Sequence, residues 1–374
     1  MRFIFLVLLT VSAVFCQDLQ RVAINEVIFQ MGIEPGSYNS SGFSNIAAAP
    51  VSRVSGANPA SLANFSAPAA GIDFAWRTNI DYYFGSTRNR AWQWLPASFG
   101  FVYPMRIVNI GVGYRQRYSM YEKYELSQTN SDGKQFTIES VSKTMVHSPS
   151  LMASLSFDGL LFRKDRLSLG AALSRDFWIQ RESVDITEGK LNAGQFGWKA
   201  GALYAPNGAI ELGILYEKGV DITGTFETEP QLLIPQEGFN AEPMKLHLKL
   251  PGVLAVGISA AAPERLRLSL TLSSVFWNSV NDLYQDQLDF SFSSVYSFAP
   301  TLDFSLGIFR TDLNYRTSTY YYTAMAQNAT FLSAGVRRQF SRLDVRLEAW
   351  DSHLFTAKYR EQTGFRAGVN FHFR

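Results

Sequence analysis

The sequence predicts an all-β fold: a transmembrane antiparallel β-barrel of about 14 strands, closed around an N-terminal plug or hatch in its lumen. Three observations carry that expectation. From about residue 70 onward, segments roughly ten to eighteen residues long alternate apolar with polar residues. Short turns and longer loops take turns between those segments. Past the N-terminus there is no run of about twenty apolar residues such as a membrane helix requires, yet aromatic residues make up 14% of the chain.

Taken in order, the first element is an export signal. Met1-Arg2, the apolar run Phe3 to Leu9 and the small-residue end Thr10-Val11-Ser12-Ala13 have the layout of a secretory signal peptide, assigned to residues 1–16. Cleavage after Ala13 or after Cys16 fits. Lipidation of Cys16 is the rival reading, and the bulky Phe15 before it speaks against that. Cys16 is the only cysteine, so no disulfide can form within the chain.

Residues 17–69 differ in kind. Ala47-Ala48-Ala49 and the stretch Ser55 to Ala63 are rich in small residues, too irregular for a strand and too apolar for a free linker. Packing inside the barrel satisfies these constraints, which makes the segment the expected plug. Within it, Asn58-Pro59 suits a turn begun by the Asn side chain, with Pro59 fixing its own φ. Gly56, Asn58, Pro59 and Ala60 are the candidate plug-turn residues.

The barrel is expected over 70–374. Strands are predicted near 70–84, 92–105, 106–124, 144–158, 166–182, 193–206, 209–227, 244–262, 264–279, 286–300, 301–313, 328–340, 342–352 and 359–373. In the last of them Phe365, Ala367, Val369, Phe371 and Phe373 share one face, while Arg366, Gly368, Asn370 and His372 share the other. Tight turns such as Pro104-Met105 and Pro206-Asn207-Gly208 alternate with longer loops near 85–91, 125–143, 183–192, 228–243, 279–285, 314–327 and 353–358. Outer-membrane barrels show this asymmetry, with short turns toward the periplasm. Aromatics including Tyr82, Tyr83, Trp92, Trp94, Tyr103, Trp178, Trp198, Trp277, Tyr320 to Tyr322 and Trp350 fall near strand ends, where interfacial girdles form. A soluble β-sandwich is the competing fold; its strands would be shorter.

The loop 228–243 should be polar, yet it holds Leu232, Leu233, Ile234 and Phe239 beside its charges. Exposed apolar clusters mark ligand or partner surfaces, so these four residues are the candidate ligand-capture loop. A carboxylate ligand would also want a cation inside the barrel, which Arg77, Arg115, Arg117 or Arg175 could supply. The net charge of +2 is too small and too evenly spread for a nucleic-acid partner. The four histidines show no metal-ligand spacing, and no nucleophile elbow or phosphate loop occurs. Neither an enzyme nor a metal or organic cofactor is expected.

Gly56 to Ala63 resembles the Asn-Pro-Ala plug segment of the outer-membrane long-chain fatty-acid transporter family, the FadL and TodX type. Gly197 to Tyr204 with Gly213-Ile214-Leu215-Tyr216 and Gly224 resembles that family's paired central strands. Leu250-Pro251 with Gly257-Ile258, and Val275-Phe276-Trp277, resemble the strands that follow. The resemblance implies a fourteen-stranded barrel with a hatch and passive uptake of hydrophobic compounds such as long-chain fatty acids or hydrocarbons. In that scheme a molecule is captured by outer loops, passed to the lumen and released sideways through the wall. Ending on Arg374 after Phe373, where such barrels commonly finish on an aromatic residue, is a departure from the pattern. Similar barrels include secretion-associated shuttles and scaffolds of the PorV type, so a non-transporting barrel that docks a periplasmic or secreted protein is the alternative. The expected partners are a hydrophobic small molecule and outer-membrane lipid, and a monomer is expected.

Overall fold

The computed structural model describes residues 43–83, 87–129, 133, 135–160, 162–184, 187–230, 244–262, 265–280, 285–311, 329–355 and 362–373. Residues 1–42, with the expected signal peptide, and the capture-loop residues Leu232, Leu233, Ile234 and Phe239 lie outside these. Among the described residues sixteen strands form: β1 (Ala69–Tyr83), β2 (Thr87–Pro104), β3 (Val108–Thr129), β4 (Gln135–Asp158), β5 (Arg166–Val184), β6 (Thr187–Ala205), β7 (Ile210–Glu217), β8 (Val220–Pro230), β9 (Met244–Leu250), β10 (Val253–Ala262), β11 (Leu266–Val275), β12 (Gln287–Ala299), β13 (Leu302–Thr311), β14 (Ala329–Gln339), β15 (Leu343–Asp351) and β16 (Gln362–His372). All but β8 and β9 follow one another around a single ring of fourteen antiparallel staves. β1 closes it against β16, from Ala69↔His372 to Asn79↔Gln362. Closure satisfies the edge groups that an open sheet would expose to lipid.

Period-two alternation decides which way each side chain points. On β5, Leu169, Leu173 and Phe177 are exposed, while Ser168, Ala172, Asp176 and Trp178 are buried. On β15, Leu347 is exposed between buried Arg346 and Glu348. Apolar residues thus face out and many charged ones face in, the reverse of a water-soluble protein. An outer belt that also includes Val112, Leu151 and Leu306 is stable only against lipid, so the strands span a membrane. At the end that bears Pro68 and Phe373, an outer girdle is built chiefly of phenylalanine: Phe101, Phe157, Phe298, Phe304 and Phe371 with Tyr103. Of the aromatics expected there, Tyr103 and Trp198 are exposed on the outer face, but Trp178, Trp277 and Trp350 are buried. Trp178 and Trp350 sit on the inward phase of their strands, a parity that position near a strand end does not reveal.

The strand boundaries depart from expectation in two instructive places. β3 and β4 reach 22 and 24 residues, so most of the expected loop 125–143 is paired, and so is most of 183–192. A 24-residue strand extends about 80 Å, far more than the roughly 25 Å apolar band. These hairpins therefore project beyond the membrane. Alternation vanishes from stretches such as Glu122-Lys123-Tyr124-Glu125 while backbone pairing continues.

Conversely, the expected strands 209–227 and 244–262 are each broken, at Lys218–Gly219 and at Pro251–Gly252. Pro251 has no N–H to donate. The two breaks also meet: a Cβ on Gly219 would stand 2.8 Å from the Leu250 carbonyl oxygen and 2.9 Å from the Gly252 nitrogen. Above the breaks, the β8–β9 hairpin leaves the wall. Val220, Ile222, Phe226, Leu248 and Leu250 bury themselves against the inward side chains Tyr118, Val146, Trp178 and Leu191 of β3 to β6. β8 pairs with β6 again only from Lys190↔Glu227 to Thr187↔Pro230.

Candidate functional site

Residues 43–68 run through the lumen as two 3-10 turns, Val51–Gly56 and Pro59–Asn64. The expected turn residues fall at their junction. Asn58 caps the second turn, its Oδ1 accepting from Ala60 N at 3.1 Å. Its Nδ2 donates to the wall, to Ala202 O at 3.2 Å and Ile214 O at 3.1 Å. Pro59 occupies the first position of the turn, where its missing N–H costs nothing. Gly56 ends the turn before it, and Ala60 is fully buried. The wall is shaped to receive this backbone. A Cβ on Gly170 would stand 2.3 Å from Ala60 N, and one on Gly201 only 2.1 Å from Asn58 Oδ1.

Two charged clusters that sequence reading did not single out tie the segment to the staves. In the first, Arg53 Nε lies 2.5 Å from Asp73 Oδ2 on β1, and its Nη2 bonds Glu348 on β15. Arg346 Nη2 reaches Asp73 at 3.0 Å and Ser52 Oγ at 2.7 Å. All four charged side chains are essentially without solvent access. In the second, Lys199 Nζ donates to the carbonyl oxygens of Ser55, at 2.5 Å, and Ala57, at 2.8 Å. Beside it Arg117 pairs with Asp176 at 2.8 Å and Glu217 at 3.0 Å, and Arg115 also pairs with Glu217. Arg117 Nη2 donates to Lys218 O at 3.3 Å, so this cluster grips the point where β7 gives way to the inner hairpin. Arg115, Arg117 and Lys199 thus gather around Asp176 and Glu217 beside the apolar cluster of the hairpin.

Of the cations suggested for the lumen, Arg115 and Arg117 are there. Arg175 is not: it is exposed on the outer face, its guanidinium 5.3 Å and 5.2 Å from the ring centroids of Phe177 and Phe196. The side chain of Arg77 lies outside the described residues.

The wall itself is discontinuous. The β2–β3 ladder runs from Pro104↔Asn109 to Ser98↔Arg115 and stops. Beyond it β2 pairs with β1 as far as Tyr83↔Thr87, and β3 pairs with β4 as far as Thr129↔Gln135. Local chemistry accounts for the stop. Pro96 offers β3 no N–H, the register of β2 slips between Asp73 and Phe74 opposite Ala97, and that of β3 slips at Arg117. Tyr118 and the apolar cluster lie just inside this interruption.

No family model matches the chain, and no curated protein does. Solved structures do. The Ralstonia pickettii toluene transporter TbuX superposes with a TM-score of 0.63 at 15% identity, over 92% of this chain and 100% of that one. A Pseudomonas aeruginosa FadL homologue gives 0.62 at 12% identity, over 92% and 100%. The Pseudomonas putida toluene transporter TodX gives 0.59 at 13%, over 92% and 96%. The fold is FadL-like. At these identities the likeness is one of architecture, and it agrees with the fold implied by the resemblance of the stretches around Asn58-Pro59 and the central strands.

Proposed function

We propose that this protein is a passive outer-membrane transporter of hydrophobic compounds, of the class of long-chain fatty acids or hydrocarbons. The observation that carries the reading is the ended β2–β3 ladder beside the apolar cluster that the β8–β9 hairpin builds inside the barrel. An uncharged or amphiphilic solute that reaches Tyr118 and the β8–β9 hairpin has lipid, not water, as its nearest sink through such an interruption, so diffusion needs no energy source. The guanidinium groups of Arg115 and Arg117 beside that cluster suit a carboxylate whose tail lies among its apolar side chains. Residues 17–69 act as the plug, with Gly56, Asn58, Pro59 and Ala60 shaping the turn that seats it. Leu232, Leu233, Ile234 and Phe239 supply the outer capture surface. The toluene transporters of like fold support the substrate class. No chemical step is assigned to any residue, no cofactor is needed, and the working unit is a monomer.

The test is mass spectrometry of hydrophobic compounds retained by the detergent-purified barrel, against a mock preparation and an Asn58→Ala/Pro59→Ala variant. Selective retention of an apolar carboxylic acid or hydrocarbon, altered in the variant, is the expected result. A barrel that retains only detergent, and whose loss leaves uptake of such compounds by cells unchanged, would sink the transport reading.

A further inference from the structure

The turns between β2 and β3 and between β4 and β5 are neighbours, because β3 pairs with β4 from Val108↔Leu155 and Ser156 N donates to Ile107 O at 3.4 Å. Together they expose three cations, Arg106, Arg163 and Lys164. They also expose three large apolar side chains, Ile107 at 60%, Leu160 at 57% and Phe162 at 64%. Asp158 is the one exposed acid on these turns among the described residues, and the buried Asp165 accepts from the Tyr204 hydroxyl at 3.3 Å. Cations alone would be at home in water and apolar groups alone in lipid. Side by side, at the depth of the phenylalanine girdle, they fit an amphiphile whose charged head is anionic. The same pairing recurs along this rim, where the Arg338 guanidinium lies 5.4 Å from the Phe340 ring centroid.

We propose that these two turns form a headgroup site for an anionic glycerophospholipid of the leaflet at this end of the barrel. Arg106, Arg163 and Lys164 hold the phosphate by charge-assisted hydrogen bonds, while Ile107, Leu160 and Phe162 lie along the first acyl carbons. The site rests on the membrane-spanning reading but is independent of what the lumen carries.

The experiment is native mass spectrometry of the full-length barrel in detergent, titrated with phosphatidylglycerol or phosphatidylcholine. Preferential retention of phosphatidylglycerol is expected, weakened about fivefold for each cation removed in Arg106→Gln/Arg163→Gln/Lys164→Gln. Arg181→Gln, an exposed cation toward the opposite end, should change nothing. Should the triple variant fail to assemble, Arg163→Gln alone must still show the single-step loss. Equal retention by variant and parent, equal retention of the two lipids, or full competition by millimolar inorganic phosphate would overturn the site. So would loss of a co-purifying protein instead of lipid. Uptake of hydrophobic compounds, read separately, should survive these substitutions, so a failure of this proposal is distinguishable from a failure of the transport reading.

Discussion

The arc from β1 to β6 and the arc from β10 to β16 belong to one barrel but are built differently. Over the described residues, strands of the first run from 15 to 24 residues and those of the second from 9 to 13. Among its described residues the second arc pairs stave to stave without interruption, with a single slip, a bulge near Ser297. The first contains the ended β2–β3 ladder, most of the contacts to the lumenal segment, and the surface on which the β8–β9 hairpin lies. The difference separates two jobs. One arc closes the ring, and the other is shaped by what the ring encloses. The Arg53 cluster sits at the β15–β16–β1 seam, where the arcs meet, and binds the enclosed segment to both.

That seam gives the largest expected effect. Arg53→Met removes the cation between Asp73 and Glu348 and leaves buried carboxylates short of a partner, which costs about 3–5 kcal/mol. Denaturant unfolding in detergent should show a loss of that size. A loss under about 1 kcal/mol would mean that water reaches the seam and that the segment is not locked there. Next comes Phe226→Ala, which empties the hairpin's apolar contact at about 3 kcal/mol. Because the hairpin is attached to the ring mainly through its ends, the loss should appear as faster hydrogen exchange of β8 and β9 amides. Phe309→Ala, in the second arc and stacked 4.6 Å from Phe331, should instead lower global stability. Equal behaviour of the two variants would erase the distinction between an inner hairpin and a wall.

The sequence exposed the closing arc more fully than the enclosing one, for physical reasons. Where lipid lies on one side and a wet or polar lumen on the other, alternation is forced, and Phe365 to Phe373 display it residue by residue. Where a strand reaches past the membrane, as β3 and β4 do, or folds over another, as β8 does, lipid no longer forces the period. Asn58-Pro59 was legible as a turn because its chemistry is local; its grip on Ala202 and Ile214 is not local. Arg53 and Glu348 lie 295 positions apart, and nothing in either neighbourhood marks the pair. Arg175 could have been placed outside by parity, since it shares its phase on β5 with Leu173 and Phe177.

Close approach gives the next effect. Gly170→Ala puts a methyl carbon against backbone atoms of Pro59 and Ala60 that have no soft end to yield, at about 1–3 kcal/mol. Gly307→Ala, in the second arc, first meets the Ser333 hydroxyl at 2.7 Å and should cost less. A reversed order in unfolding midpoints would show that the lumenal segment is looser than the wall. Asn58→Ala, losing a cap and two bonds to the wall, should cost about 1–2 kcal/mol, and Asn58→Ser, which keeps a capping oxygen without a donor that reaches the wall, should recover about half. No recovery would assign the whole effect to the wall.

The smallest effect should come from Asp303→Asn. Asp303 pairs with Arg337 across β13 and β14, near the end of the barrel that bears Pro68 and Phe373. Arg337 is 38% exposed, and its guanidinium lies 5.7 Å from the Phe43 ring centroid, so water and the ring both stand ready when the carboxylate loses its charge. An ion pair so placed contributes about 0–1 kcal/mol. It differs from Arg53–Asp73 less in geometry than in access to solvent: the same residue types at similar separations are worth several times more where the lumenal segment seals them. Were Asp303→Asn to cost as much as Arg53→Met, enclosure by that segment would not be what sets the strength of the seam.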